Sequence, residues 1–212
     1  MDVVVLGGHG RIARQLLARL AARGDRARGI VRNSDHADDL RAIAAEPVLG
    51  DVEHESITPL VAGADAVVMA AGAGAGSGPE RKRTVDLGGA LKLIEAAQAN
   101  GVARYVMVSA MGAGDPESAS EQMRPYQQAK ADADAALVAS GLDFTIVRPG
   151  GLTDDPGTGR VQAAESLGRR GSITRADTAA VLLAVLDTPS TIGRTFEVLE
   201  GKTPIAEAIA AL

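Results

Sequence analysis

Short runs of apolar side chains alternate with longer segments of helical periodicity along this chain of 212 residues. The runs are four to six residues long and rich in Val and Ile, which favour the extended conformation of a buried strand. They predict strands at residues 3–6, 27–31, 46–49, 66–70, 104–109, 144–148 and 195–199.

The segments between these runs carry their apolar residues on one helical face. In residues 11–24, for example, Ile12 and Leu16 share one side of a predicted helix. Thr174 and Asp177 form a variant capping box before the last predicted helix. The same periodicity predicts the other helices at residues 37–45, 80–100, 126–140 and 176–186.

The regular alternation of strand and helix predicts an α/β fold. Strands that are joined by helical crossovers form a mostly parallel sheet, and helices then cover both of its faces. We therefore expect a doubly wound sheet, with residues 1–212 in a single domain.

Three loops that contain glycine and proline interrupt this alternation, at residues 72–79, 111–125 and 149–160. Each begins where a predicted strand ends, and ligands of open parallel sheets bind beyond the carboxyl ends of the strands. One such loop alone is as well explained as a solvated connection, but long loops gathered at this edge are more often functional. We expect a small substrate-binding region built from residues 111–125 and 149–175.

The first strand runs directly into a glycine-rich turn that opens the first helix. Gly7 and Gly10 permit a tight turn and the close approach of an anion, and the small Ala13 lets the helix lie against the sheet. Backbone amides and the helix dipole then favour a diphosphate, and the alternative is a turn without a ligand. His9 either reaches a phosphate or is solvated. The predicted binding residues of this turn are Gly7, His9, Gly10, Arg11, Ile12 and Ala13.

The residues that follow the second strand indicate which dinucleotide binds. In NAD-binding proteins a carboxylate at this place accepts a hydrogen bond from the ribose 2′-hydroxyl. This chain has Arg32 and Asn33 there instead, and an arginine pairs with the 2′-phosphate of NADP. NADP is therefore favoured, and Arg11 either adds to that charge or is an ordinary surface residue. After the third strand, Asp51 and Val52 are placed to contact the adenine, although a helix cap explains Asp51 nearly as well.

Candidate catalytic residues follow the fifth strand. Ser109 ends that strand, and Tyr126 and Lys130 stand four residues apart on one face of a predicted helix. A phenol has an unperturbed pKa of about 10, and we expect the neighbouring ammonium to lower the pKa of Tyr126. Ser109 would hydrogen-bond a substrate carbonyl, and Lys130 would hold the ribose hydroxyls of the coenzyme. The same spacing of Tyr and Lys also arises by chance in structural helices.

Composition and charge exclude several other classes of protein. A net charge of −5 argues against a broad electrostatic surface for nucleic acid or anionic membranes. Cysteine is absent, which excludes disulfides and thiolate chemistry, and the three histidines lack the spacing of metal ligands. The sequence shows neither a secretory leader nor a membrane-spanning stretch. We therefore expect a cytoplasmic monomer or homodimer that binds a small molecule.

Nine motifs follow one another in order over nearly the whole chain. They are LGGHGRIA, VRN, GDV, AAGAG, VDLGGALKLIEAA, VSAMG, YQQAK, IVRPGGLT and ITRADTA. Together they resemble the atypical short-chain dehydrogenase/reductases of the NmrA-like and epimerase-like group. The resemblance implies a Rossmann fold, bound NADP, and coenzyme contacts from Ala70, Ala71 and Gly72. It also implies that segment 148–152 lies near the nicotinamide.

Two positions depart from that family's pattern. Asp86 stands where catalytic relatives carry an Asn that organises a proton relay, and Ala13 replaces the usual third glycine. Atypical members often keep the coenzyme but lose turnover. About sixty residues follow the RPGG motif, too few for the substrate domain of a sugar-nucleotide epimerase. The sequence thus predicts an NADP-dependent oxidoreductase of small carbonyl or quinone-like compounds, with Asp86 among its catalytic residues. The alternative is an NADP-binding sensor or regulatory protein without turnover.

Overall fold

The computed structural model describes residues 1–74 and 76–212 and contains one nine-stranded sheet and one two-stranded sheet. The strands are β1 (Asp2–Leu6), β2 (Arg26–Val31), β3 (Glu46–Leu49), β4 (Ala66–Met69), β5 (Arg104–Val108), β6 (Asp143–Pro149), β7 (Gly151–Thr153), β8 (Arg160–Ala164), β9 (Ser172–Thr174), β10 (Arg194–Glu200) and β11 (Thr203–Pro204). The helices are α1 (Arg11–Ala22), α2 (Ala37–Arg41), α3 (Pro79–Arg81), α4 (Gly88–Ala99), α5 (Arg124–Ala139), α6 (Arg175–Leu186) and α7 (Ile205–Ala210). A π-helical segment, Lys82–Leu87, joins α3 to α4.

The large sheet is doubly wound and mostly parallel, which confirms the predicted fold. Its order is β11-β8-β10-β6-β5-β4-β1-β2-β3, and β1 pairs in parallel with both β2 and β4. The strand order therefore proceeds outward from β1 in two opposite directions, and the carboxyl ends of β1 and β4 form a topological switch point. Strand β8 runs antiparallel to both of its neighbours, and β7 and β9 form the separate parallel pair.

Side chains of β1 alternate between two apolar layers, one on each face of the sheet. Val3 and Val5 belong to the layer that α1, α6 and α7 cover, whereas Val4 and Leu6 belong to the layer that α4 and α5 cover. Burial of each such side chain stabilises the fold by about 1.5–3 kcal/mol. The central strand is thus fixed from both faces, and its carboxyl end is a firm support for the glycine turn.

The three polar loops leave neighbouring strands at one edge of the sheet. Strands β4, β5 and β6 lie side by side, and loops 72–79, 111–125 and 149–160 follow them in that order. Ala75 of the first loop lies outside the described residues. The second loop contains two short 3₁₀ turns, and the third contains β7. The predicted gathering of these loops is confirmed.

Two of the predicted helices differ from the observed ones. The helix expected at 80–100 is divided into α3, the π-helical segment and α4. The helix expected at 37–45 ends at Arg41, and Ala44 has φ +57, a conformation that cannot continue a right-handed helix. Strands β7, β8, β9 and β11 were not predicted, because their residues do not form the apolar runs rich in Val and Ile that mark the other strands. No helix in the described part of the chain is both long and apolar enough to cross a bilayer.

Candidate active site

The glycine turn joins β1 to α1 at the switch point. Gly7 has φ +83, and a Cβ at this position would lie only 2.6 Å from Cα of Ala71. The N–H of Gly10 donates to the carbonyl oxygen of Gly7 at 2.8 Å and closes the turn. Glycine is therefore required at position 7 both for the left-handed backbone and for the close approach of the segment after β4.

The first turn of α1 leaves its backbone N–H groups without a side-chain acceptor. Gly10 is the N-cap, no side chain caps the helix, and no acidic residue lies in its first turn. A Cβ on Gly10 would come within 3.1 Å of the carbonyl oxygen of Gly7. Ile12 and Ala13 are buried and hold the helix against the sheet. Free N–H groups at a helix N-terminus bind anions, so this turn fits the diphosphate of a dinucleotide.

Two further glycines bring β2 against the turn. A Cβ on Gly8 would lie 2.7 Å from Cα of Gly29, and a Cβ on Gly29 would lie 2.5 Å from a methyl group of Leu40. The N–H of Gly8 also donates to the carbonyl oxygen of Ile30 at 2.9 Å. This contact places the residues that follow β2 beside the glycine turn.

Arg32 follows β2 and forms an ion pair that the sequence did not predict. Its Nη1 lies 3.2 Å from Oε2 of Glu53, and Nη2 of Arg81 lies 3.6 Å from the same oxygen. Thr84 donates its hydroxyl to the other carboxylate oxygen at 2.8 Å. The guanidinium predicted to hold a 2′-phosphate is therefore next to an anion of the chain itself.

Asp51 makes local hydrogen bonds in the loop after β3. It accepts the N–H of Glu53 at 2.9 Å and lies 3.0 Å from Nδ1 of His54. Burial opposes ionisation of Asp51, but these hydrogen bonds together with the charges of His54 and Arg32 outweigh it and lower the pKa of the carboxyl. Asp51 thus caps a turn of its own loop and not a helix, since the next helical turn in the described chain begins at Thr58. The expected contact with adenine stays a prediction. Val52 packs against the apolar layer beneath α4.

His9 and Asn33 both contact residues just after β2. The ring of His9 stacks on that of His36 with 3.7 Å between centroids, and its Nε2 lies 2.6 Å from Oδ2 of Asp39. The Asn33 side chain accepts the N–H of Asp35 at 3.0 Å and caps a 3₁₀ turn. These contacts fix the segment between β2 and α2 against the glycine turn.

Arg11 reaches a different segment from Arg32. Its Nη1 donates to Oδ2 of Asp154 at 2.5 Å, and Nη1 of Arg175 lies 2.8 Å from the other oxygen of that carboxylate. Because Asp154 follows β7, this pair ties the start of α1 to loop 149–160.

Residues 70–72 link the glycine turn to the catalytic candidates. Ala71 packs against Gly7, and a Cβ on Gly72 would lie 3.3 Å from Oδ1 of Asp86. The segment after β4 therefore runs between the two halves of the site. This is the position from which coenzyme contacts were expected.

Lys130 and Asp86 form a buried ion pair. Nζ of Lys130 lies 3.2 Å from Oδ1 of Asp86 and donates to the carbonyl oxygen of Val108 at 3.1 Å. The other oxygen of Asp86 accepts the N–H of Ala73 at 3.1 Å. Asp86 lies in the π-helical segment, a distortion that is frequent at functional sites. A carboxylate thus offsets the charge of Lys130, where an Asn would leave it unopposed.

Ser109 lies one residue beyond β5 and has a carboxylate partner of its own. Its hydroxyl donates to Oδ2 of Asp134 at 3.0 Å, and Nε and Nη2 of Arg148 both lie 2.9 Å from that oxygen. Burial raises the pKa of Asp134 against the opposing effect of these hydrogen bonds. The single hydroxyl hydrogen of Ser109 is therefore directed at Asp134, and its expected hydrogen bond to a substrate carbonyl stays a prediction.

Tyr126 is the more accessible of the three candidates. Ser109 and Lys130 are 2% and 4% exposed, whereas Tyr126 is only partly buried. Burial raises the pKa of Tyr126, and the charges of Asp86 and Asp134 add to this effect, against the lowering influence of Lys130. Lys130 thus lowers the pKa of Tyr126 as expected, but burial and the two carboxylates outweigh it, so the net change is upward. The phenol keeps its proton at neutral pH.

Loop 149–160 is anchored to α6. The N–H groups of Thr158 and Gly159 each donate to the carboxylate of Asp177 at 2.8 Å. The hydroxyl of Thr174 accepts the N–H of Asp177 at 2.9 Å, which confirms the predicted cap of this helix. Asp177 thus holds the loop after β6 while its own N–H is part of the cap.

Sequence comparison relates the chain to proteins that bind nicotinamide coenzymes. A family profile described as NAD(P)H-binding matches residues 7–189. A Bacillus subtilis (strain 168) protein described as an uncharacterized sugar epimerase is 43% identical over 215 residues, covering 100% of both chains. A Stigmatella aurantiaca protein, described as 4-hydroxy-2-methyl-3-oxo-4-farnesyl-3,4-dihydroquinoline-1-oxide ketoreductase, is 33% identical over 165 residues, covering 70% of this chain and 49% of that protein.

Comparison with solved structures gives the same picture. A Bacillus halodurans protein described as an NAD-dependent epimerase/dehydratase superimposes with a TM-score of 0.97 at 41% identity, covering 100% of both chains. A Lactococcus lactis oxidoreductase superimposes with a TM-score of 0.86 at 26% identity, covering 100% of this chain and 96% of that one. The fold of this chain is therefore that of Rossmann-type NAD(P)-binding proteins.

Proposed function

The chain belongs to the NAD(P)H-binding family, and from that premise we propose that it is an NADP-dependent oxidoreductase of the short-chain type. Its proposed substrate is a small carbonyl or quinone-like compound. One observation carries the proposal. Tyr126, a neutral and partly exposed phenol, lies one helical turn from Lys130, at the sheet edge that also holds the glycine turn.

The residues of the site fit a dinucleotide. The uncapped first turn of α1 would hold the diphosphate, and residues 70–72 would lie along the coenzyme. The preference for NADP rests on Arg32, because a guanidinium donates to a phosphate where an NAD site has a carboxylate acceptor. When bound, the reduced coenzyme supplies a hydride.

Tyr126 provides the proton that the reduction needs. Its raised pKa keeps the hydroxyl protonated at neutral pH, so it can donate to the carbonyl oxygen as the carbonyl carbon gains a hydride. One C–H bond and one O–H bond form, the C=O double bond becomes single, and the O–H bond of Tyr126 breaks; the hydride would come from a C–H bond of the reduced coenzyme, which would thereby be oxidised. The ammonium of Lys130 stabilises the phenolate that remains, and Asp86 fixes that ammonium.

The proposed substrate class follows from the loops around the site and from one relative. The Stigmatella aurantiaca ketoreductase is named for a 3-oxo-dihydroquinoline oxide, which is a ring ketone. Loops 111–125 and 149–160 border the edge of the sheet that carries Tyr126. These features favour a small cyclic ketone or a related carbonyl compound as the substrate.

A second candidate is an NADP-binding regulatory protein without turnover. Ser109 and Lys130 are both buried, and each is paired with a carboxylate of the chain, Asp134 and Asp86 respectively. Groups that are already satisfied in this way contribute less to a reacting substrate. This arrangement favours binding without reaction.

Coenzyme oxidation separates the two candidates. The purified chain is mixed with NADPH and a panel of quinones, α-diketones and cyclic ketones, and the absorbance of NADPH is followed. We expect substrate-dependent oxidation that Tyr126→Phe abolishes while NADPH affinity stays the same. Tyr105→Phe is the matched control, because Tyr105 is fully buried and its hydroxyl donates to the carbonyl oxygen of Ala90 at 3.3 Å. Binding of NADPH without oxidation by the whole panel would favour the regulatory protein.

A further inference from the structure

Glu53 is the meeting point of donors from three separate segments of the chain. Arg32 follows β2, Arg81 ends α3, and Thr84 lies in the π-helical segment. Their contacts with the two carboxylate oxygens measure 3.2, 3.6 and 2.8 Å. The carboxylate is largely shielded, with its side chain 17% exposed, whereas the two guanidinium side chains are 54% and 44% exposed.

This donor set suits a phosphate better than it suits a carboxylate. Two guanidinium groups contact the single carboxylate of Glu53, so these three side chains keep a net positive charge, which the nearby Asp51 offsets in part through Arg32. A phosphate dianion would balance both cations and offers three acceptor oxygens. Both guanidinium groups are exposed, and ion pairs of exposed arginines contribute little to stability, so an incoming phosphate can compete with Glu53 for them.

We propose that Glu53 sets the coenzyme preference of the chain, because it occupies the donors that the 2′-phosphate of NADP takes. Arg81 and Thr84 then join Arg32 as phosphate ligands. The inference rests on the proposed use of NADP and adds to it a residue that weakens NADP binding. Removing the charge of Glu53 frees both guanidinium groups and also removes a negative charge that repels the incoming phosphate.

Calorimetry with two nucleotides tests the proposal without any substrate. Adenosine 2′,5′-bisphosphate and 5′-AMP share the adenosine and the 5′-phosphate, and they differ in the 2′-phosphate. We expect Glu53→Gln to tighten binding of the bisphosphate about tenfold and to change binding of AMP less than twofold. The amide oxygen of the glutamine still accepts the hydroxyl of Thr84. Glu55→Gln is the matched control, since it removes the same charge two residues away, where the described residues form no ion pair.

Arg81→Ala supplies the second measurement. We expect it to weaken binding of the bisphosphate about fivefold, and to weaken it more in the Glu53→Gln background, where Arg81 is no longer held by the carboxylate. Circular dichroism melting checks that each variant folds. Equal tightening of both nucleotides by Glu53→Gln, or an effect that Glu55→Gln reproduces, would overturn the proposal. If the wild-type chain binds neither NADPH nor NADH, both this inference and the proposed function are wrong. If Glu53→Gln binds the bisphosphate tenfold more tightly but the chain oxidises no NADPH, this inference holds and only the proposed reductase activity is wrong.

Discussion

Lys130 and Asp86 lie 3.2 Å apart in an ion pair whose side chains are 5% and 0% exposed. The pair joins α5 to the π-helical segment and lies one helical turn from Tyr126. Each charge acts on the phenol with opposite sign, so the ammonium alone does not decide its pKa. Burial then dominates, and the phenol remains an acid rather than a base.

Replacing Asp86 by Asn is expected to lower the pKa of Tyr126, because the carboxylate raises that pKa and the amide leaves Lys130 unopposed. Loss of a buried counter-ion should also lower the free energy of unfolding by about 3 kcal/mol. Tyrosinate absorbance and urea unfolding measure the two effects. Asp132→Asn is the control, because Asp132 is an exposed carboxylate on α5, the helix that carries Tyr126. An unchanged tyrosinate titration would show that Asp86 does not act on the phenol.

The two tyrosines allow a direct test of pH dependence, since the chain has no tryptophan to mask their absorbance. Burial raises the pKa of both Tyr105 and Tyr126 above the ordinary value. The native chain therefore holds these protons more tightly than the unfolded chain does. Its stability should be unaffected by tyrosine ionisation at neutral pH and should fall as pH rises above about 10.

Substrate reduction needs the protonated phenol, so its rate should also stay level through the neutral range and decline only in strong alkali. The Tyr126→Phe variant shows which part of the tyrosinate absorbance comes from Tyr126. Titration of the chain with and without denaturant then gives the difference in tyrosine pKa between the native and the unfolded state. Tyrosinate absorbance in the native chain that matches that of free tyrosine would contradict the structure.

Asp134 and Arg148 should be strongly coupled in their contributions to stability. Asp134→Ala leaves a largely buried guanidinium without its counter-ion and is expected to lower the free energy of unfolding by about 3–5 kcal/mol. Arg148→Leu should cost a similar amount, whereas the double variant should cost clearly less than the sum. A double-mutant cycle in urea measures the coupling. If the two losses of unfolding free energy are additive, Asp134 and Arg148 do not stabilise each other.

Gly7→Ala should damage the turn more than the backbone conformation alone explains. Gly7 has φ +83 and no room for a Cβ, whereas Gly101 has φ +68 and open space around its Cβ position. We expect Gly101→Ala to cost about 1 kcal/mol of unfolding free energy and Gly7→Ala to cost more, with loss of NADPH binding. Thermal melting and calorimetry compare the two variants. Equal costs would mean that the contact with Ala71 relaxes freely.

Local sequence patterns predicted the fold, the glycine turn and the common helix of Tyr126 and Lys130. Strand and helix periodicity is visible within ten residues, and it gave the doubly wound sheet and the positions of its loops. The spacing of Gly7 and Gly10 predicted a tight turn, and helical spacing placed Tyr126 and Lys130 on one face. Each of these features depends on neighbours in the chain.

The partners that modify this chemistry come from distant segments, and the sequence did not reveal them. Arg11 pairs with a residue 143 positions away, and Ser109 with one 25 positions away. Glu53 meets Arg32 only because β2 and β3 are adjacent in the sheet. One signal in the sequence was not used. Asp134 follows Lys130 by one helical turn, which places a carboxylate on the same face of the helix as Lys130. Pairings between segments require the register of the sheet, which composition and periodicity do not supply.

The contact between Gly8 and Gly29 restricts how this protein can evolve, and it does so unequally. A methyl group on Gly8 would lie 2.7 Å from the backbone of Gly29, whereas one on Gly29 would lie 2.5 and 2.9 Å from the side-chain ends of Leu40 and Leu17. A mutation at position 8 must therefore wait for a shift of the β2 backbone, but a mutation at position 29 needs only a smaller or reoriented leucine. Of the two glycines, Gly8 is the harder one for this lineage to replace.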